Sequence, residues 1–276
     1  GEKSKLEKAR KIIAGILEVQ QSEIIFTSGA TESNNLAMLG MLYPRLTSPY
    51  SRGRRKEGVI PHIVTTNIEH ASVLEPLKNF EVSYVPVESN GIVNAEKVLA
   101  AIRPNTVLVS VAYANNEIGT IQPIGKIGKA IRAMGKKRPL FHTDACQAPL
   151  YLNCLVNALG VDMLTLDGHK IYGPKGVGAL YLRRGIRLAP QLQGGGQERG
   201  LRSTTENIPA IVGFAEALRL ATTERTTESP HLSKLRDGFY SSILENLRID
   251  GKQEIIVNGS MKEGERLPNN LNISLP

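Results

Sequence analysis

Apolar positions along the chain fall into two alternating kinds of segment. From Lys3 to Val19, Leu6, Ala9, Ile12, Ile13, Ile16 and Leu17 recur at three- and four-residue spacing, the stripe of an amphipathic helix. Ile24–Thr27 is a short apolar run that predicts a strand. Ser28–Ser33 reads as a turn opening a helix over Asn34–Tyr43, and residues 46–60 read as a polar, basic loop. Further strand-like runs lie at 62–66, 81–86, 106–112, 139–143, 161–166 and 178–183, with helical patterns at 71–78, 95–102, 123–134 and 207–223. Strands alternating with helices predict an α/β fold, with a mostly parallel sheet covered on both faces. The polar stretch Thr222–Pro230 predicts a boundary. After it, His231–Leu247 reads as a helix and Glu254–Asn258 and Leu271–Leu275 as strands. The expected division is a large domain over 1–226 and part of a small α+β domain over 227–276. The chain opens on Gly1 and stops soon after the second unit begins, so it reads as a partial chain.

Composition changes this picture little. With 276 residues, 41% hydrophobic and 22% charged, the chain suits a soluble globular protein with a sizeable core. No apolar run approaches the roughly 20 residues of a membrane span, and no signal-peptide pattern opens the chain. Thus no membrane partner is expected. The net charge of +8 comes from 34 Lys and Arg against 26 Asp and Glu. Part of it lies in Ser51–Lys56, which reads as a solvated insertion, the sharper reading being a patch for RNA or an acidic partner. Without aromatic interleaving or a nucleic-acid motif, nucleic acid is not an expected partner. The two cysteines, Cys146 and Cys154, form neither a disulfide framework nor a metal-ligand spacing. This pattern suits a cytoplasmic or mitochondrial-type reducing compartment.

The candidate chemistry sits at strand ends. Lys170, in Gly168-His169-Lys170-Ile171-Tyr172-Gly173-Pro174-Lys175-Gly176, follows one apolar run, and Asp144, in His142-Thr143-Asp144-Ala145-Cys146-Gln147, ends another. A lysine amine and a carboxylate at neighbouring strand ends are what pyridoxal 5'-phosphate (PLP) requires. The amine forms a Schiff base with its aldehyde, and the carboxylate keeps its pyridinium nitrogen protonated. Thr27–Ser33 lies between a strand and a helix, where free backbone N–H groups make an anion site. The plainer reading is an N-cap by Thr31 or Ser33. His70, after Thr65–Glu69, can stack on a flat ring, shuttle a proton or be structural. Asn115 and Asn116, in Ala114–Gly119, can donate to a phenolic oxygen or substrate carboxylate, or simply make a turn. Gly194–Thr205 is a glycine-rich loop carrying cations and hydroxyls, read as a linker or as a phosphate or subunit contact. Asp144 as a helix cap, Gln147 as a surface residue and Lys170 as a solvated lysine are each reasonable singly. Together they require unrelated coincidences.

This ordered series of motifs, with Pro268–Ser274, resembles the cysteine desulfurases of iron–sulfur cluster assembly. These are PLP-dependent, fold-type I enzymes of the class-V aminotransferase family, and the resemblance runs over nearly the whole chain. It implies that Lys170 is the Schiff-base lysine and proton carrier, that Asp144 pairs with the ring nitrogen and that His70 stacks on the ring. Asn116 and Gln147 would bond the phenolic oxygen, with Asn116 also reaching the substrate carboxylate. Gly29, Ala30, Thr31 and His169 would hold the phosphate, and Thr205 would reach the phosphate of the other subunit of a homodimer. The implied substrate is L-cysteine, converted to L-alanine, with sulfur passing to an enzyme thiol as a persulfide and on to an acceptor or scaffold protein. A selenocysteine lyase, another class-V enzyme and a catalytically dead scaffold of the same fold are the alternatives. In the family the sulfur-accepting cysteine and the arginine that clamps the substrate carboxylate lie beyond the stretch like Asn269–Ser274, so neither Cys146 nor Cys154 is read as the nucleophile. Asp167 stands where the family often has a phosphate-holding serine. A carboxylate there repels phosphate unless it points away or pairs with a cation.

Overall fold

The computed structural model describes residues 1–47, 61–78, 80–246 and 255–275. Seven strands make the main sheet: β1 (Ile24–Thr27), β2 (His62–Thr66), β3 (Glu81–Val85), β4 (Thr106–Ser110), β5 (Leu140–Asp144), β6 (Met163–Asp167) and β7 (Gly178–Leu182). Their order is β1-β7-β6-β5-β4-β2-β3. From β3 to β6 all neighbours are parallel, and only β7 runs against the others, pairing with β6 on one side and β1 on the other. The expected mostly parallel sheet is therefore present.

Strand residues are buried on both sides because helices cover both faces. Ile24, Phe26, Val64, Val109, Leu164 and Tyr181 face one cluster, together with α1 (Glu2–Leu17), α5 (Ile124–Ala133) and α7 (Ile208–Asn246). Their strand neighbours Ile25, Ile63, Leu108, Met163 and Leu180 face the other, against α2 (Ala30–Thr47) and α3 (Ala71–Leu77). The period-two alternation of strand side chains divides the core between these layers. Short α4 (Ala95–Ala100) and one-turn α6 (Val156–Leu159) complete the described helices.

Three expectations are corrected. Helix α2 begins at Ala30, four residues before the expected start, and runs through Thr47. The remainder of the expected basic loop, Ser51–Lys56 included, lies outside the described residues. Thr222–Pro230 is not a break between two helices, because α7 continues through it for 39 residues, Pro230 included. The polar side chains there serve the helix. Thr222 Oγ1 donates to Leu218 O and Thr227 Oγ1 to Glu224 O, each at 2.8 Å, so the hydroxyls bond to the preceding turn and leave the backbone helical.

Strands β8 (Ile256–Val257) and β9 (Ile273–Ser274) pair antiparallel. The segment between them packs on the loop that joins β4 to α5. Ile121 N donates to Glu265 O at 2.9 Å and Leu267 N to Gly119 O at 2.8 Å. Buried Arg266 holds the segment together, donating to Ser260 O at 2.7 Å and to Asn270 Oδ1 at 2.8 Å.

Candidate active site

The chain leaves β2 toward β3 on one side and returns to β4 on the other, so the sheet has a switch point between β2 and β4. Crevices beyond the carboxyl ends of parallel strands at such points bind ligands. The segments carrying the candidate residues leave the sheet at this end: Glu69-His70 after β2, Asn115–Gly119 after β4, Asp144 at the end of β5 and His169-Lys170 after β6.

Asp144 is half-buried. Its Oδ1 accepts from Cys146 N at 3.0 Å, and its Oδ2 accepts from Asn34 Nδ2 at 2.7 Å. Asn34, wholly buried on α2, also donates to Ser72 Oγ at 2.8 Å. Ser72 Oγ lies 2.8 Å from His70 Nδ1, which also accepts from Ser72 N at 3.1 Å. Because Nδ1 takes the backbone N–H, the neutral ring carries its proton on Nε2, and Ser72 Oγ–H points toward Nδ1. Asp144 and His70 are thus the two ends of one hydrogen-bonded chain through Asn34 and Ser72. His70 also caps α3, which is the structural one of the readings the sequence offered.

Lys170 is exposed, within a single 3-10 turn over His169–Ile171. The turn is held tight by Gly173 N donating to Gly168 O at 2.9 Å. A Cβ at Gly168 would stand 2.8 Å from Val177 Cγ1 and 2.9 Å from Pro174 O, so this close approach requires glycine.

The β1–α2 turn is the expected anion cradle. Gly29 has φ +145°, and Thr27 Oγ1 pairs with Ser33 Oγ at 2.8 Å below it. The expected cap by Thr31 or Ser33 is not what closes the helix. Ser28 N donates to Glu32 Oε2 at 2.8 Å, and Ala30 N donates to Asp167 Oδ2 at 2.8 Å. Asp167 Oδ1 accepts from His169 N at 3.1 Å and lies 2.6 Å from His169 Nδ1. Ser28–Glu32, Asp167, His169, Lys175 and Gly176 line a cavity of about 310 Å³ here.

Asn116 and Thr205 are exposed, and Gln147 is half-buried. The loop carrying Asn116 is organised by its neighbour. Asn115 Oδ1 accepts from Glu117 N at 2.8 Å and Ile118 N at 2.9 Å, and Asn115 Nδ2 donates to Ile68 O at 3.0 Å. Asn270 and Asn272 both donate to Glu117 O, at 3.0 and 3.2 Å. The Pro268–Ser274 segment therefore braces the Asn115–Gly119 loop.

Thr205 follows a glycine-rich loop anchored from beneath. Arg10 Nη1 and Nη2 donate to the two carboxylate oxygens of buried Glu198 at 2.9 and 2.6 Å, and Phe26 N donates to Glu198 Oε2 at 2.8 Å. Glu198 and Arg199 occupy left-handed backbone at φ +46° and +59°, a conformation rare without glycine that this pairing holds in place. Arg202 Nε donates to Glu32 Oε1 at 2.9 Å, joining the loop to the first turn of α2. That contact holds the Glu32 carboxyl below its ordinary range, against its burial.

Sequence reasoning missed Asn34, Ser72 and Glu69. Glu69 is buried between Thr66 Oγ1 (2.5 Å) and Ala112 N (2.9 Å), both donating to its Oε1. Burial, with nearby Asp144 adding to it, pushes its carboxyl up to about 8. Both thiols are buried, and burial pushes Cys154 up to about 12 and Cys146 well above the ordinary thiol value. Neither is a thiolate at neutral pH, the form nucleophilic chemistry needs. Among the described residues no group of three or more His, Cys, Asp or Glu could hold a metal ion, and no helix is long and apolar enough to cross a membrane.

The residues present fit PLP at its ring end. A half-buried carboxylate, Asp144, ends β5, and an exposed lysine, Lys170, follows the adjacent parallel strand β6. At the phosphate end the glycine turn is in place, with Asp167 against it.

Residues 2–254 match the class-V aminotransferase family. The chain is 44% identical over 273 residues to the cysteine desulfurase IscS of Glaesserella parasuis, an alignment covering 96% of this chain and 62% of that protein. The chain thus spans less than two thirds of the length of that curated relative. Among solved structures, a NifS-like protein superposes with a TM-score of 0.87 at 37% identity, over 99% of this chain and 70% of that one. SspA in complex with cysteine gives 0.72 at 41% identity, over 79% and 61%. Class-V aminotransferases are PLP-dependent as a family, and with this match over most of its length the chain belongs to that family.

Proposed function

We propose that the chain forms the PLP-binding part of a cysteine desulfurase, which breaks the C–S bond of L-cysteine, releases L-alanine and passes the sulfur to a protein thiol as a persulfide. The observation that carries this reading is the placement of Asp144 and Lys170 after neighbouring parallel strands, with His70 tied to Asp144 through Asn34 and Ser72. PLP, when bound, supplies an electron sink for carbanion chemistry at the substrate α-carbon.

The chain's own residues do the rest. The Asp144 carboxylate holds a proton on the ring nitrogen, and Asn34 fixes its orientation. His70, steered by Ser72, would hold the ring by stacking on it. Lys170 Nζ would hold the cofactor covalently and would move the substrate's α-proton. Asn116 and Gln147 donate to the phenolic oxygen, and Asn116 also meets the substrate carboxylate. Gly29, Ala30, Thr31 and His169 form the phosphate end. The exposed loop carrying Thr205 meets the phosphate end of a second copy, which makes the working unit a homodimer. From the enzyme thiol the persulfide sulfur passes on to a separate acceptor or scaffold protein in a cytoplasmic or mitochondrial-type compartment.

The test is L-cysteine-dependent alanine formation by the full-length, PLP-supplied protein, beside Lys170→Ala and Asp144→Ala. The proposal expects alanine from the parent and a loss of at least about a hundredfold in each variant. Full activity in Lys170→Ala contradicts it.

A further inference from the structure

The anion cradle at the start of α2 is already occupied by a side chain of the same molecule. Asp167 is only 5% exposed and reaches the helix terminus from the end of β6. Its Oδ2 accepts the Ala30 N–H at 2.8 Å, a first-turn donor that an incoming phosphate would use. An ideal Cβ built on Gly29 would stand 3.4 Å from that oxygen, so the carboxylate lies directly over the glycine turn. The other oxygen takes the His169 N–H at 3.1 Å and faces His169 Nδ1 at 2.6 Å. A second amide of the turn, Ser28 N–H, is given to Glu32. The exposed Thr31 hydroxyl and the Lys175 ammonium remain on the cavity wall.

We propose that Asp167 is an internal anion that competes with the cofactor's phosphate for this cradle and thereby sets how tightly the chain holds it. The inference rests on the proposed PLP reading for the identity of the ligand, though not for the competition itself. A phosphate takes the Ala30 N–H only when Asp167 gives it up, and the displaced carboxylate keeps His169 as its partner. The two anions repel while both remain near the turn. Asp167 is accordingly a positioning residue whose effect falls on phosphate and not on the ring. It lowers affinity for PLP, leaves affinity for pyridoxal alone and makes the chain a weak discriminator between them.

The experiment measures dissociation constants of PLP and pyridoxal by equilibrium dialysis for the parent, Asp167→Ser and the near-isosteric Asp167→Asn. It also measures the shift in thermal midpoint with inorganic phosphate alone. The expected result is a gain in PLP affinity on the order of tenfold in the variants, from regaining one hydrogen bond to a charged group, with pyridoxal affinity unchanged. Phosphate would raise the midpoint of the variants more than that of the parent. Weaker or unchanged PLP binding in both variants overturns the proposal, since Asp167 would then be building the cradle through His169. If neither PLP nor pyridoxal binds any of the proteins, the cofactor reading fails. The phosphate shift then decides the role of Asp167 alone: a gain in the variants upholds it and no gain overturns it. If Asp167→Ser does not fold, Asp167→Asn carries the same comparison.

Discussion

Asn34 and Asp144 lie 110 residues apart in the chain and meet at 2.7 Å. The amide of one fixes the carboxylate of the other at the carboxyl end of β5. Replacing Asn34 by Leu removes this bond and the one to Ser72 together. We expect a loss of about 1–3 kcal/mol of stability, the cost of stripping partners from buried polar groups, and weaker cofactor binding. Denaturant unfolding and a PLP titration check both, and a variant equal to the parent in both would contradict the role given to Asn34.

The Arg10–Glu198 pair supports the loop that leads to Thr205. Its side chains are 6% and 2% exposed, so Arg10→Met leaves a carboxylate buried without its cation. The expected cost is about 3–5 kcal/mol. Adding Glu198→Gln, which still accepts from Phe26 N, should recover part of that loss. A double variant no better than the single one would show that the loop does not depend on charge compensation.

Helix α5 crosses the turn after α6 at glycine contact distance. A Cβ on Gly128 would stand 2.1 Å from Leu159 O and 2.9 Å from Gly160 Cα. Gly128→Ala must push the helix away from that turn, at about 1–3 kcal/mol. Gly15 on α1 meets nothing within 4 Å, so Gly15→Ala is the control and should stabilise slightly through helix propensity.

Glu69 gives the fold a pH signature. Its carboxyl is raised to about 8 from an ordinary 4.5, so the folded protein binds the extra proton and stability falls as pH rises through that window. His142, buried between Ser110 Oγ and Thr165 Oγ1, is lowered to about 4 from 6.5. It acts in the opposite direction, adding stability as pH rises between those values. Above about 6.5 the histidine contribution is complete, and Glu69 alone of the two remains. Glu69→Gln should therefore flatten the decline in stability between about pH 6.5 and 8 relative to the parent. Parallel curves for the two proteins would contradict a protonated Glu69.

The order of strands and helices was legible because parallel strands buried on both faces read as continuous apolar runs, as in Met163–Asp167. The positions of Asp144 and Lys170 followed from those runs. Less legible was α7. Thr222, Thr223 and Thr227 look like loop residues by composition, whereas in the helix their hydroxyls bond back to the preceding turn. The start of α2 was missed for a related reason: its Ala30 N–H is satisfied by Asp167, 137 residues away, and neither Thr31 nor Ser33 caps it. Asn34, Ser72 and Glu69 carry no spacing signal. Their importance comes from contacts that only the assembled sheet creates.

The proposed role of Lys170 in holding the cofactor can be tested chemically. The protein is loaded with PLP, reduced with borohydride and digested, and the modified peptide is identified by mass. The expected result is one pyridoxyl-modified lysine, in the peptide carrying Lys170, absent from Lys170→Ala protein that still folds. Modification spread over surface lysines, or a specific label at Lys175 that persists in Lys170→Ala, would contradict it.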